Sequence, residues 1–341
     1  MRILQLLFSR GFRGAERHVA DLVNAQSRRH CVRLLLRADA EEAGVSIRQF
    51  LDPSVDVATV PPALLGPSTW LALRRFRPDV VHSHGGRAGR VVGRWGGAVP
   101  RLATMHLDYR ANWYRRQQAL VAPTDWQAED ARAKGFGGPI HRLDLWFTPH
   151  PAPSAERVAA LRAELGAGAG EILVGAVGAL MPVKGMDTLI RAFRGLPDPR
   201  LRLALVGQGP DRAALEALAT GDGRIRFAGF RSDVRALYHA FDLFVFPSRE
   251  EPFGLVALEA LDAGLPIVAT ATDGARASLG PTAFVPPGDA DALERALAAA
   301  LSGPLARHRP DLSRWSLDRH LDGLDRIYAA MAAGGGAVDR R

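Results

Sequence analysis

Along nearly the whole chain, short apolar runs alternate with longer segments in which apolar positions recur at helical spacing. That alternation is the pattern of βα units feeding a parallel sheet, whose strands are covered on both faces and so read as unbroken apolar runs. In the first half, strands are expected at Arg2–Phe8, Val32–Arg37, Val57–Val60, Val80–Ser83, Arg101–Met105 and Ala119–Ala122. Helices over Ala15–Arg28, Ser68–Phe76 and Asp125–Lys134 separate some of them. In the second half, strands at Ile172–Ala179, Arg202–Val206, Ile225–Phe227, Leu243–Phe246 and Pro266–Ala269 alternate with helices over Met186–Arg194, Asp211–Ala219 and Leu255–Ala263. Between the halves, Trp146–Ser154 carries prolines at 149, 151 and 153 and reads as a linker. The expected fold class is therefore α/β: two Rossmann-like, doubly wound parallel-sheet domains, residues 1–150 and 151–311, facing across a cleft. In such sheets, ligands sit beyond the carboxyl ends of the strands.

Composition narrows this picture. A chain of 341 residues, 47% hydrophobic and 23% charged, is long enough for two buried cores of ordinary size. The single cysteine, Cys31, permits no internal disulfide or thiolate metal cluster and fits a reducing, cytoplasmic setting. The apolar run up to Phe8 is shorter than a signal peptide requires and has no small-residue cleavage site after it, so a first strand is expected there. No apolar stretch approaches the roughly 20 residues that span a bilayer.

The net charge of +8 is placed unevenly. Residues 1–150 carry 22 Lys and Arg against 13 Asp and Glu, while the rest carries 22 against 23. The excess suggests that the first half alone meets an anionic partner. A solvated, Arg-rich face is the alternative. Nucleic acid fits poorly, since no recognition motif accompanies the charge.

Candidate chemistry concentrates in Asp242–Pro266, where an apolar strand ends at Pro247-Ser248, a loop carries Glu251, and a helix opens near Gly254 with Glu259 inside it. A helix start presents unpaired N–H groups and a partial positive charge, which suit a phosphate. A carboxylate just before it can meet a sugar hydroxyl, and one two turns on can accept from a ribose. Two glutamates with seven residues between them, flanking Pro252-Phe253-Gly254-Leu255, resemble the signature of the retaining, nucleotide-sugar-dependent glycosyltransferases of the GT-B fold, family 4 or "group 1". Glu250 is out of register with that signature and reads as a solvated neighbour.

The resemblance extends over most of the chain. Gly178-Ala-Leu-Met-Pro-Val-Lys184-Gly is similar to the family's donor-phosphate loop, in which Lys184 clamps the diphosphate as a mobile point charge. Ala179 stands where the family usually has arginine. Gly207 lies in a Gly-Gln-Gly turn similar to the one near the nucleoside, and Phe230 and Arg231 lie in a loop similar to the one that meets the base. Thr272-Asp-Gly274 matches a loop beside the sugar. In the first half, Gly11-Phe-Arg13-Gly14 resembles the loop that closes over the donor, with Arg13 a candidate to replace the cation missing at 179 and Glu16 in the first helical turn. His106, ending a strand, falls where the family places a histidine near the reacting sugar and acceptor. The family also implies that a last helical segment, about 312–332, packs back on the first domain.

His82 and His84 share one face of a strand, as in some metal sites, yet nothing in sequence completes a ligand set, and a structural or cleft-lining role is expected. Arg110, Arg115 and Arg116 interleave with Tyr109, Trp113 and Tyr114, a mixture that suits a membrane interface or a phosphorylated acceptor, or else a solvated helix with packed aromatics.

The expected reaction is thus transfer of a sugar, with retention, from a UDP- or GDP-type donor to a hydroxyl of a glycan or lipid-linked acceptor, in polysaccharide, lipopolysaccharide or glycolipid synthesis. His106, Glu251 and Lys184 would carry it, without metal or other cofactor, in the cytoplasm or peripherally on the inner face of its membrane. The rival expectations are a sugar-nucleotide-binding partner without activity, to which Ala179 points, and a nucleotide-sugar epimerase on the same architecture.

Overall fold

The computed structural model describes residues 1–12, 14–41, 44–280 and 283–334. They form two compact units, Met1–Trp146 with the chain from Trp315 onward, and Phe147–Arg314.

In the first unit the strands are β1 (Arg2–Leu7), β2 (Cys31–Arg37), β3 (Asp56–Val60), β4 (Val80–His84), β5 (Arg101–Thr104), β6 (Ala119–Ala122) and β7 (Ile140–Arg142). The helices between them are α1 (Gly14–Gln26), α2 (Leu65–Phe76), α3 (Gly85–Trp95), α4 (Ala111–Tyr114) and α5 (Asp125–Ala133). All strand pairs are parallel, in the order β3-β2-β1-β4-β5-β6-β7. Strand alternation splits β1 between two cores: Ile3 and Leu7 face α1, and Leu4, Leu6 and Phe8 face α2 and α3.

In the second unit the strands are β8 (Ile172–Val177), β9 (Leu201–Val206), β10 (Ile225–Gly229), β11 (Leu243–Phe246), β12 (Ile267–Thr270) and β13 (Phe284–Val285). Its helices are α6 (Ala155–Glu164), α7 (Met186–Gly195), α8 (Arg212–Ala219), α9 (Val234–Leu237), α10 (Leu255–Asp262), α11 (Asp273–Leu279) and α12 (Ala290–Leu301). The sheet is again parallel, ordered β10-β9-β8-β11-β12-β13. The last helix, α13 (Leu317–Gly334), belongs to the first unit. Leu321, Leu324, Ile327 and Tyr328 enter the core beneath α1, and Arg29 meets Asp318, Asp322 and Asp325 along one stripe of α13.

In both sheets the winding reverses once, at β1/β4 and at β8/β11. Chains leaving the carboxyl ends there turn to opposite faces and open a crevice for ligand. The edge strands β7 and β13 escape the sequence pattern because three and two residues are too few to show a period. The strand expected through Ala179 stops at Val177 because the chain turns at Gly178 to pack against the next loop.

Candidate active site

Lys184 and Glu251 follow the two strands at the second unit's switch point, β8 and β11. Lys184 Nζ donates to Glu251 Oε2 at 2.6 Å, with both side chains largely shielded. Close backbone packing holds each in place. Lys184 ends a single 3-10 turn, Pro182–Lys184, closed by Gly185 at φ 65°, where a Cβ would strike the carbonyl oxygen of Pro247. The amides of Arg249 and Glu250 donate to the carbonyl of Val183 at 2.8 and 3.2 Å. Arg249 adds a clasp from its side chain: its guanidinium donates to Asp187 Oδ1 and Oδ2 at 2.7 and 2.8 Å, to Thr188 Oγ1 at 2.8 Å and to the carbonyl of Pro182 at 2.7 Å. Asp187 is accordingly held below the usual carboxylate range by that hydrogen bond.

Gly254 at φ 91° opens α10, and no side chain caps the helix there, so its first N–H groups are left for a ligand beside Glu251. Pro252 and Leu255 are half-buried, whereas Phe253 is in the core. One face of the Glu251 loop rests on α11: Thr272 caps that helix, and Gly274 donates to the carbonyl of Glu251 at 2.9 Å where a Cβ would collide with it. Glu259, two turns into α10, accepts from the Tyr238 hydroxyl at 2.9 Å and lies 3.6 Å from Arg235 Nε. Gly207 has a structural reason for its identity: at φ 146° it lies so close to Gly178 that a Cβ would overlap that carbonyl oxygen. The Gly178 and Gly207 loops are thereby locked together. Arg231 is tied to Asp233 and Glu164 at 2.7 and 2.9 Å, while the Phe230 ring is exposed. Glu250 is exposed.

In the first unit, Gly11 at φ 76° follows β1, and Gly14 opens α1 with nothing within 4 Å of where its Cβ would be. Glu16 sits in the first turn of α1. Arg13 lies outside the described residues. His106 lies just past β5, half-buried, with Nε2 3.2 Å from His84 Nδ1. His84 Nε2 meets Gln5 Oε1 at 2.9 Å. His82 Nδ1 meets the Tyr328 hydroxyl at 2.7 Å and its Nε2 meets Thr104 Oγ1 at 2.8 Å. Both nitrogens of both rings in the His-x-His pair are thus engaged within the protein. Among the described residues no three His, Cys, Asp or Glu side chains form a group able to hold a metal ion.

Sequence comparison decides the family. The family model for Glycosyl transferases group 1 matches residues 158–313, and the one for Glycosyltransferase Family 4 matches residues 12–148. The chain is 33% identical over 277 residues to the lipopolysaccharide core biosynthesis glycosyltransferase LpsE of Rhizobium meliloti, covering 76% of each chain. The chain belongs to the family 4, group 1 glycosyltransferases. It is also 33% identical over 318 residues to the 2-deoxystreptamine N-acetyl-D-glucosaminyltransferase of Streptomyces fradiae, covering 77% of this chain and 74% of that one. Among solved structures it resembles HepE of Anabaena in complex with UDP and glucose, at TM-score 0.76 and 21% identity over 98% of both chains, a likeness in fold. The two units of this glycosyltransferase are thus Rossmann-like domains of the GT-B type.

The structure changes one expected surface of the transferase. Tyr109 and Tyr114 do not share a face with Arg110, Arg115 and Arg116. Both rings are buried with Met105, Leu120 and Phe136, while the arginines stay exposed. Only Trp113 remains beside them, its ring 4.6 Å from Arg110 and lying over Gly86. A four-residue α4 is too short to reveal which way its aromatics turn. Two further residues were not singled out in sequence. Arg249 gave no signal apart from its place before the glutamates. Gln5 gave one: a polar residue inside the apolar run of β1, fully buried.

Proposed function

We propose that this glycosyltransferase transfers a sugar, with retention of anomeric configuration, from a UDP- or GDP-type donor to a hydroxyl of a glycan or lipid-linked acceptor in cell-surface polysaccharide, lipopolysaccharide or glycolipid synthesis. The observation that carries this is the Lys184–Glu251 pair at 2.6 Å beside the uncapped start of α10. The anomeric C–O bond breaks with its electron pair leaving on the diphosphate. Lys184 and the α10 N–H groups meet that developing charge, so no bound cation is needed. Glu251 orients the donor sugar, Glu259 the ribose, and His106 a hydroxyl at the reacting end, while the acceptor oxygen bonds the anomeric carbon and passes its proton to the departing diphosphate. HepE was solved with UDP and glucose, and LpsE builds lipopolysaccharide core, which supports the donor and acceptor classes.

The test is a panel of UDP-, GDP-, ADP- and dTDP-sugars in the presence of EDTA, following binding and slow hydrolysis. Turnover of one donor is expected. If a donor binds but none is turned over, the chain is instead an inactive sugar-nucleotide-binding partner, the reading that Ala179 favours, and Ala179→Arg is the reversion to try.

For the acceptor side, the surface of α2 and α3 supports a peripheral position on an anionic membrane. Residues 61–100 contain six arginines and one acid, Asp79. Leu64, Trp70, Leu71 and Trp95 are 50, 48, 40 and 36% exposed there. Trp95 lies over Gly66, so the two helices present one patch, with Arg74 5.2 Å from the Trp70 ring. Aromatic and aliphatic side chains rimmed by arginine suit the headgroup boundary. The protein is expected to sediment with vesicles containing phosphatidylglycerol and not with pure phosphatidylcholine, and the double variant Trp70→Ser/Leu71→Ser is expected to stay in solution. Equal binding by that variant would remove this patch from consideration.

A further inference from the structure

The buried polar network of the first unit does more than satisfy its own atoms. We infer that Gln5, acting through His84, fixes His106 as the Nε2–H tautomer, so that His106 Nδ1 is the nitrogen presented to a substrate hydroxyl, and only as an acceptor. Gln5 is then a positioning residue for His106, an assignment that rests on the functional reading above.

Counting protons sets the direction of the network. The Tyr328 hydroxyl has three neighbours: Gln26 Nε2 at 3.1 Å, Gln5 Nε2 at 3.3 Å and His82 Nδ1 at 2.7 Å. Two amide N–H groups point at its oxygen, and its single proton goes to His82, whose Nε2–H then donates to Thr104 Oγ1. Turning both amides over would set two carbonyl oxygens against the hydroxyl, which has one proton to give. Turning Gln5 alone would set its oxygen against Gln26 Oε1, which now accepts from Gln5 Nε2 at 2.7 Å. Either arrangement leaves a buried oxygen–oxygen contact, costing about 1–3 kcal/mol. Gln5 Oε1 therefore faces His84 and accepts from its Nε2–H.

The rings are neutral. Burial, with the neighbouring imidazoles, holds His84 well below its ordinary value, and burial brings His106 to about 4. A neutral His84 protonated at Nε2 offers a lone pair at Nδ1. His106 must donate its Nε2–H there, and its Nδ1 carries none. No local feature of the Thr104-Met-His106 segment sets this; it is relayed from β1 and α13. An acceptor nitrogen favours a substrate hydroxyl that donates, and it cannot serve as the proton donor to the departing diphosphate.

The test uses the full-length chain labelled with 15N-histidine, read by long-range 1H–15N correlation of the imidazoles near neutral pH. The His106 signals are identified by their loss in His106→Asn. Unprotonated Nδ1 with protonated Nε2 is expected at both His84 and His106. The Gln5→Leu variant should lose the single tautomer at His106. Thermal unfolding of the variant separates misfolding from loss of the relay; if Gln5→Leu does not fold, the wild-type tautomer still decides the matter. Protonated Nδ1 at His106 in the wild type, or an unchanged tautomer in folded Gln5→Leu, overturns the proposal. These spectra need no turnover, so they can fail or succeed independently of the functional reading. Once a donor is known, Gln5→Leu should lower kcat about tenfold in the wild type and have no effect in the His106→Ala background; equal effects in both would show a role in stability alone.

Discussion

Acidification is expected to unfold the first unit before the second, between roughly pH 6.5 and pH 4. His18, His82, His84, His106 and His320 gather on the α1/α13 side of the first sheet, all held neutral by burial. Burial lowers His82 to about 3 and His106 and His320 to about 4. Among the described residues these rings face one another, Trp146, Gln5, Tyr328, Thr104 and the carbonyl of Asp144, and the carboxylate that pulls on them is Asp144, acting on His320. Below its ordinary pKa of 6.5 each histidine takes up a proton in the unfolded chain but not in the folded one. Stability is complete above that pH and falls as pH drops, by up to about 1.4 kcal/mol per pH unit for each ring. A few rings suffice against a net stability of roughly 5–15 kcal/mol.

All six tryptophans lie in the first unit, so their fluorescence reports on it selectively, and hydrogen exchange follows the second. His18→Phe should move the acid midpoint downward, because both nitrogens of His18 are buried without hydrogen bonds and its ring lies tilted against Trp146 at 3.7 Å. Coincident transitions in the two units, or a midpoint unmoved in His18→Phe, would show that other groups control acid unfolding.

Lys184→Ala is expected to lower donor kcat/KM by about 10²–10³, or roughly 2.7–4 kcal/mol, the usual loss when one preorganised donor to a developing anion is removed. Glu251→Ala should behave differently. In the free protein Lys184 is already paired with Glu251 at 2.6 Å, so an arriving diphosphate must compete with a carboxylate for the ammonium. Removing Glu251 frees that cation. The free nucleoside diphosphate should then bind several-fold more tightly, while transfer falls because the sugar has lost its orienting oxygen. Calorimetric titration with the diphosphate, set beside the rate of transfer, reads both effects. If both variants weaken diphosphate binding alike, the pair is a structural clasp and the functional reading loses its main support.

How much was legible in sequence follows from how local each feature is. Strand and helix periods, the loop from Pro247 to Gly254 and the spacing of Glu251 and Glu259 are all contained within a few turns of chain, so residue order alone conveys them. The same holds for Lys184 between its proline and glycine. That the loops of β8 and β11 adjoin was implied once the doubly wound order was expected. The inward turn of Tyr109 and Tyr114, the clasp of Arg249 on Asp187 and the exposed patch of Trp70 and Trp95 depended on which neighbour each side chain met. No window of sequence holds both partners. The histidine network is the extreme case, joining Gln5, Gln26, His84, His106 and Tyr328 through contacts up to 323 residues apart. The sequence by itself determined the two parallel sheets and the residue types at their carboxyl ends, because periodicity and turn chemistry are short-range. Only the tertiary structure decided which polar groups were sealed from water together, and burial is what makes the protonation of those groups a property of the whole unit.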